Sequence, residues 1–215
     1  LCRSAQELAM DLPHDRKELR DLINSVVELN RHHGDLLLEI MYSGGKAADS
    51  GVSPEGSAHV YVLVFPFEPP PTNWYVNGIS LASFPYERQW PNVKLLNYVG
   101  GVLAHQTVVK DYGATEALFV ATSDRQTILE GTTFSLFAVD EHETVITPPI
   151  NGTILDGITR KVVMEIAPEH GIRVEERRIK LADLSKINEV FITSSTRNIV
   201  PVIRVDDTVV GKGIP

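Results

Sequence analysis

With 215 residues, 43% of them hydrophobic and 22% charged, the chain has ordinary globular composition and the length for one large domain or one and a half small ones. A formal net charge of −8 with no Lys/Arg cluster argues against a nucleic-acid-binding surface, and the single Cys2 excludes an internal disulfide framework and a cysteine-rich zinc site. No apolar run reaches the ~18 residues of a membrane-spanning helix, and the cysteine usage fits a reducing cytoplasm.

Leu1, Ala5, Leu8, Ala9 and Leu12 recur at helical spacing until Pro13 stops them. Asp15 followed by Glu18 is a capping-box pattern, and Leu19, Leu22, Ile23, Val26, Val27 and Leu29 extend a second helix toward Gly34. Residues 36–42 read as a buried strand running into a loop over 43–51, and 60–67 as a second strand halted by Pro69, Pro70 and Pro71. A third strand is expected over 75–84, interrupted at Gly78. The prolines and the Asn77-Gly78 turn mark either a domain junction or an ordinary hairpin.

A helix over 100–110 follows, then strands at 114–121 and 127–130 around a turn at Ser123-Asp124-Arg125. Strands at 135–139 and 144–147 flank a turn at 140–143. Gly157 opens a helix through Ile166, followed by a strand over 174–179, a short helix over 181–186 and strands at 190–193 and 199–205. Strands outnumber helices and come in adjacent pairs, so the fold class is α+β rather than regular βαβ. The chain opens without Met inside a helix and stops after Pro215, and both ends are expected to be incomplete.

Three stretches carry chemistry. Lys94, after Pro91 and before an apolar run, is either a snorkelling surface lysine or an amine held partly desolvated as a nucleophile toward an aldehyde. Glu130, next to Gly131 at a strand end, is either a turn residue or a carboxylate aimed into a pocket. Gly157-Ile158-Thr159-Arg160 opens a helix after a loop, which suits a phosphate at a helix N-terminus or a simple cap. Thr193, Ser194, Ser195 and Thr196 sit between two apolar strands as solvated turn residues or a second arm of an anion cradle. His32, His33 and His142 fall in polar turns without metal-ligand company.

In this order, Lys-x-x-Asn, then Glu-Gly, then Leu-x-Gly-Ile-Thr-Arg, then a Thr/Ser-rich loop before Ile-x-Pro-Val, the chain resembles the class IV (fold-type IV) pyridoxal-phosphate enzymes. That family holds D-amino-acid and branched-chain transaminases and aminodeoxychorismate lyases. The resemblance implies that Lys94 carries the cofactor as an aldimine and shuttles a proton, and that Glu130 keeps the pyridine nitrogen protonated. It implies that Leu155 packs on the ring, that the turn at Gly157, the Ile158 N–H, Thr159 and Ser195 bind the phosphate, and that the Thr196 backbone helps hold the substrate carboxylate. It also implies a phosphate-binding Arg just before Leu1. Two domains are expected, a small N-terminal one over 1–85 and a larger cofactor-binding one over 86–215, in a cytoplasmic homodimer with the pocket near the junction.

Asn97 follows Lys94 by three positions, the spacing of the D-amino-acid transaminase and lyase branches. The loop over 43–50 lacks the Arg-x-His pair of the D-amino-acid enzymes, and its Ser43-Gly44-Gly45 looks more like the lyase branch. Lys46 in that loop is a carboxylate contact or a solvated lysine. The expected reaction is amino-group transfer between an amino acid and a 2-oxo acid, with pyruvate elimination from aminodeoxychorismate as the alternative. A cofactor-free binding or scaffold relative is the reading from a different class.

Overall fold

The computed structural model describes residues 1–49, 51 and 53–215. They divide into two compact units, Leu1–Glu68 and Pro69–Pro215, with the boundary along the chain at the start of the proline run.

In the first unit, α1 (Cys2–Glu7) is shorter than its apolar spacing predicts, because Ala9 takes a φ of 50° and turns the chain. α2 (Arg16–Asn30) begins with the expected capping box. The Asp15 carboxylate accepts from the Lys17 and Glu18 N–H groups at 2.7 and 2.8 Å, and Glu18 Oε2 accepts from the Asp15 N–H at 2.9 Å. One 3₁₀ turn (Arg31–His33) leads into β1 (Leu36–Ser43). The expected loop after it contains a two-residue ladder, β2 (Lys46–Ala47) against β3 (Pro54–Glu55), while Ser50 lies outside the described residues. Lys46 pairs with Glu55 at 3.0 Å and is exposed. β4 (His59–Pro66) then pairs antiparallel with β1 from Leu36↔Pro66 to Ser43↔His59.

The second unit starts with a difference from the expected strand. Residues 72–77 form a helix, α3 (Thr72–Asn77), and only β5 (Ile79–Pro85) is extended. Trp74, Tyr75 and Val76 have strand-forming side chains, but Pro71 sets up the helix start and Gly78, at φ 71°, ends it. Trp74 and Tyr75 pack on the core, and that tertiary gain overrides propensity.

α4 (Val99–Tyr112), β6 (Glu116–Val120), β7 (Ile128–Gly131), β8 (Ser135–Val139) and β9 (Val145–Thr147) follow. They are succeeded by α5 (Ile158–Glu169), β10 (Val174–Glu176), a 3₁₀ segment (Leu181–Lys186), β11 (Glu189–Ser194), β12 (Asn198–Val205) and β13 (Thr208–Val209). Among the described residues the strands form one mixed sheet in the order β10-β9-β8-β11-β12-β5-β6-β7, with β13 on β12. The pairs β12–β5, β5–β6 and β9–β10 are parallel and the rest antiparallel, which bears out the α+β class.

Both faces of this sheet are covered. Leu81, Leu118, Val120 and Ile128 lie in one apolar cluster, whereas Ala82, Ala117, Phe119 and Leu129 lie in another with Ala104 and Val108 of α4. The two-residue period of the strands thus assigns alternate side chains to opposite cores.

The turn from β6 to β7 is held by Asp124, whose carboxylate accepts from the Gln126 and Thr127 N–H groups and the Thr127 hydroxyl at 2.7–2.9 Å. Those bonds, the Thr127 N–H foremost, hold the Asp124 carboxyl down at about 2. A depressed carboxyl stabilises the fold above its ordinary range, and that contribution is lost as pH falls toward about 2. Asp124→Ala is therefore expected to lower the thermal midpoint near neutrality, with the deficit relative to the parent shrinking in acid. Thermal scans across pH check this.

Candidate functional site

All the chemistry-bearing residues of interest lie in the second unit. The chain leaves β5 as a strap over residues 86–98, and three successive side chains fasten its start to the neighbouring strands. The Tyr86 ring packs 5.0 Å from that of Phe119, centroid to centroid, and Glu87 Oε1 accepts from the Thr122 N–H and hydroxyl at 2.8 and 2.7 Å. Arg88 reaches Glu130, donating through Nε and Nη2 to Oε1 at 2.9 and 2.6 Å.

Glu130 is the centre of this arrangement. It is the penultimate residue of β7 and is 4% exposed, so it is a buried carboxylate and not a solvated turn residue. Its second oxygen accepts from the Leu155 N–H at 3.2 Å, which ties the segment before α5 to β7. Burial pushes the Glu130 carboxyl above its ordinary value, opposed by the Arg88 charge and hydrogen bonds, the Leu155 N–H and the charge of Lys94. The Gly131 beside it is required sterically: a Cβ there would sit 2.1 Å from the Phe134 ring, which folds back over the turn.

Lys94 lies further along the strap, behind the buried anchor Val93. Its Nζ donates to the Tyr98 hydroxyl at 2.8 Å and sits 5.6 Å from the Tyr98 ring centroid. The partial desolvation considered from its apolar neighbours is not what the structure shows, since Lys94 is exposed. Those neighbours diverge: Val93 points inward, while Leu96 is 58% exposed.

Gly157 is the N-cap of α5, and no side chain caps the helix. Its first-turn N–H groups have no partner inside the helix by geometry, so the helix offers free donors and the positive end of its dipole. Ile158 and Thr159 occupy the first two helical positions, Ile158 exposed and Thr159 half-buried. Gly157 approaches Ser135 so closely that a Cβ would be 2.9 Å from the Ser135 hydroxyl, and Ser135 pairs across the sheet with Thr193. Ser195 and Thr196 are two and three residues beyond, exposed at the tip of the β11–β12 hairpin. Arg160 is buried, donating to the Pro148 carbonyl at 3.0 Å and to Glu176 at 2.6 Å, so it seats α5 on its neighbours.

The described residues thus bring together Lys94, Glu130 and Leu155, and separately set the start of α5 beside the ends of β8 and β11. Two buried hydroxyls near that helix start, Thr193 Oγ1 and Ser194 Oγ, have no hydrogen-bond partner among the described residues, as an anion site would leave them. A buried carboxylate, an accessible amine, an uncapped helix start and unmatched hydroxyls fit pyridoxal phosphate: an acceptor for the ring nitrogen, an amine for the aldehyde and donors for the phosphate. His32, His33 and His142 are exposed, and no group of three metal-ligating side chains occurs among the described residues. No helix among them is long and apolar enough to cross a membrane.

Arg88 is the residue that sequence reasoning missed. A carboxylate buried near a strand end needs a cation, but Arg88 follows β5 and reaches Glu130 past β6, a meeting set by sheet topology and not by local spacing. Arg88→Met would strand the Glu130 charge, and a loss of about 3 kcal/mol of unfolding free energy is expected, with Glu130→Gln in the same background restoring part of it. Denaturant titrations measure both, and an R88M variant as stable as the parent would contradict the pairing.

Comparison with known proteins shows the family. The amino-transferase class IV family model matches residues 1–205. The D-alanine aminotransferase of Bacillus licheniformis is 30% identical over 223 residues, covering 100% of this chain and 74% of that protein. The T.th. branched-chain amino acid aminotransferase, solved with pyridoxamine 5′-phosphate, superposes with a TM-score of 0.86 at 28% identity over 99% of this chain and 70% of that one. A Legionella pneumophila protein provisionally named a 4-amino-4-deoxychorismate lyase shares the fold, with a TM-score of 0.86 at 20% identity over 97% of this chain and 75% of that one. The chain belongs to the class IV aminotransferases, a family of pyridoxal-phosphate enzymes.

Proposed function

We propose that this protein binds pyridoxal 5′-phosphate and transfers an amino group between an amino acid and a 2-oxo acid, with Lys94 and Glu130 as its central residues. The observation that carries the reading is the buried Glu130 carboxylate, held by Arg88 and the Leu155 N–H within the electrostatic reach of an accessible lysine. When bound, the cofactor supplies an aldehyde that condenses with amines and a ring that accepts the electron pair released at the substrate Cα.

The protein's own groups do the rest. Lys94 Nζ, oriented by the Tyr98 hydroxyl, would accept the proton from the substrate Cα and deliver it to the cofactor's aldehyde-derived carbon across the intervening nitrogen. Glu130 holds a proton at the ring nitrogen, and Arg88 favours the ionised carboxylate that this requires. Leu155 flanks the ring, its N–H spent on Glu130 and its side chain free to pack. Gly157 and the Ile158 and Thr159 donors at the start of α5, with Ser195, bind the phosphate, while the Thr196 backbone orients the substrate carboxylate.

We assign the protein to a cytoplasmic homodimer in the same reading. Support comes from α4 and its approach, where Leu96, Val99, Val102 and Leu103 are all more than half exposed, an apolar patch that a second subunit would cover.

Pyruvate elimination from aminodeoxychorismate is the second reading, favoured by the Ser43-Gly44-Gly45 loop, whereas the three-residue step from Lys94 to Asn97 is compatible with both reactions. Absorbance of the full-length protein with amino acids, with pyruvate assayed in parallel, separates the two. Loss of the visible band with D- or L-amino acids marks transfer. A band that persists while pyruvate forms only from aminodeoxychorismate marks elimination, and no visible band at all contradicts both. Lys94→Ala is expected to lower turnover by about a thousandfold or more and to abolish the borohydride-sensitive band, because no other group replaces its proton transfer.

A further inference from the structure

The hairpin between β11 and β12 carries Ser195, Thr196 and Arg197 at its tip, between the paired residues Ser194 and Asn198. Asn198, at φ 55°, takes the left-handed conformation that closes such a loop. Hairpin tips are ordinarily mobile, since little besides their own backbone holds them. This tip is fastened from three directions through one residue. Arg197 Nη2 lies 2.9 Å from Glu116 Oε1 on β6, an ion pair that reaches past β5 with side chains only 19% and 5% exposed. The guanidinium carbon sits 5.7 Å from the Trp74 ring centroid, and the Arg197 carbonyl accepts from the Tyr75 hydroxyl at 3.0 Å, both on α3.

Glu116 is itself fixed. Its Oε2 accepts from the Thr132 hydroxyl at 3.3 Å and lies 3.4 Å from His105 Nδ1. A buried ion pair adds little net stability over apolar packing, because desolvating both charges offsets their attraction. Its value lies in geometry. The neighbouring Thr193 Oγ1 and Ser194 Oγ are buried without a partner among the described residues, a costly arrangement in the protein alone that a bound anion would relieve.

We propose that Arg197, locked by Glu116, is a positioning residue that sets the Ser194–Ser195–Thr196 tip for the cofactor's phosphate. The inference rests on the reading of this tip as part of the phosphate site. Arg197 acts through the tip and takes no part in proton transfer.

Pyridoxal phosphate and pyridoxal, which lacks the phosphate, are the probes, with dissociation constants measured on the full-length apoprotein by absorbance titration. Arg197→Met and Glu116→Gln are each expected to weaken pyridoxal phosphate about tenfold while leaving pyridoxal within about twofold. Equal weakening of both ligands, or unchanged affinity for pyridoxal phosphate, would overturn the proposal while leaving the family reading intact. A parent protein that binds neither would sink that reading and this proposal together. Should R197M fail to fold, Arg197→Lys keeps the charge but loses the planar fork, and the same selective loss is expected in smaller degree.

Discussion

A carboxylate taken out of water must be given partners, and the second unit is assembled around that requirement at Glu130. Its two oxygens bind three different parts of the chain into one place: β7 through its own backbone, the strap through Arg88, and the approach to α5 through the Leu155 N–H. Neither the strap nor the approach belongs to a sheet, so neither has a ladder of backbone bonds to hold it. Removing the carboxylate charge would leave Arg88 buried without an anion and free two irregular segments at once. The flanking contacts of Tyr86 with Phe119 and of Glu87 with Thr122 bring the strap to the right height, and Arg88 fixes its register.

A second, independent fastening operates at the β11–β12 hairpin, where Arg197 and Glu116 join its tip to β6. Glu116 opens β6 and Glu130 lies next to the end of β7, so the two buried acids arise from one antiparallel hairpin. Each draws an arginine from a non-adjacent segment. The sheet interior supplies rigidity, and these two charges transfer it to the irregular segments that carry Lys94, Leu155, Ser195 and Thr196. That division of labour suits a binding site, in which loops supply functional groups and the scaffold fixes their positions.

Much of the fold was legible because its signals are local. The Asp15–Glu18 capping box, the apolar runs of β1 and β4, the Asp124 turn and the Gly157 helix start all depend on residues a few positions apart, although β1, expected to be buried, has half-buried and exposed side chains only. The strand expected from residue 75 begins only at Ile79: Tyr75 and Val76 favour extended backbone, whereas packing of Trp74 and Tyr75 on the core and the flanking Pro71 and Gly78 decide for helix. The Lys94, Glu130 and Gly157 signals were visible as residue types in order, and the family resemblance turned that order into an expected site. Their partners were not visible. Arg88 meets Glu130 and Arg197 meets Glu116 only through sheet topology, and no spacing rule along the chain encodes either pair. The solvent exposure of Lys94 was hidden for the same reason, since its apolar neighbours divide between inside and outside.

The most direct test of the central claim is to map where the cofactor attaches. The full-length protein, loaded with pyridoxal phosphate, is reduced with borohydride, digested and sequenced by tandem mass spectrometry. The account predicts a single phosphopyridoxyl group on the peptide containing Lys94. Modification at another lysine such as Lys110 or Lys161, or none at all, would contradict the assignment of Lys94 and Glu130 as the centre of the site.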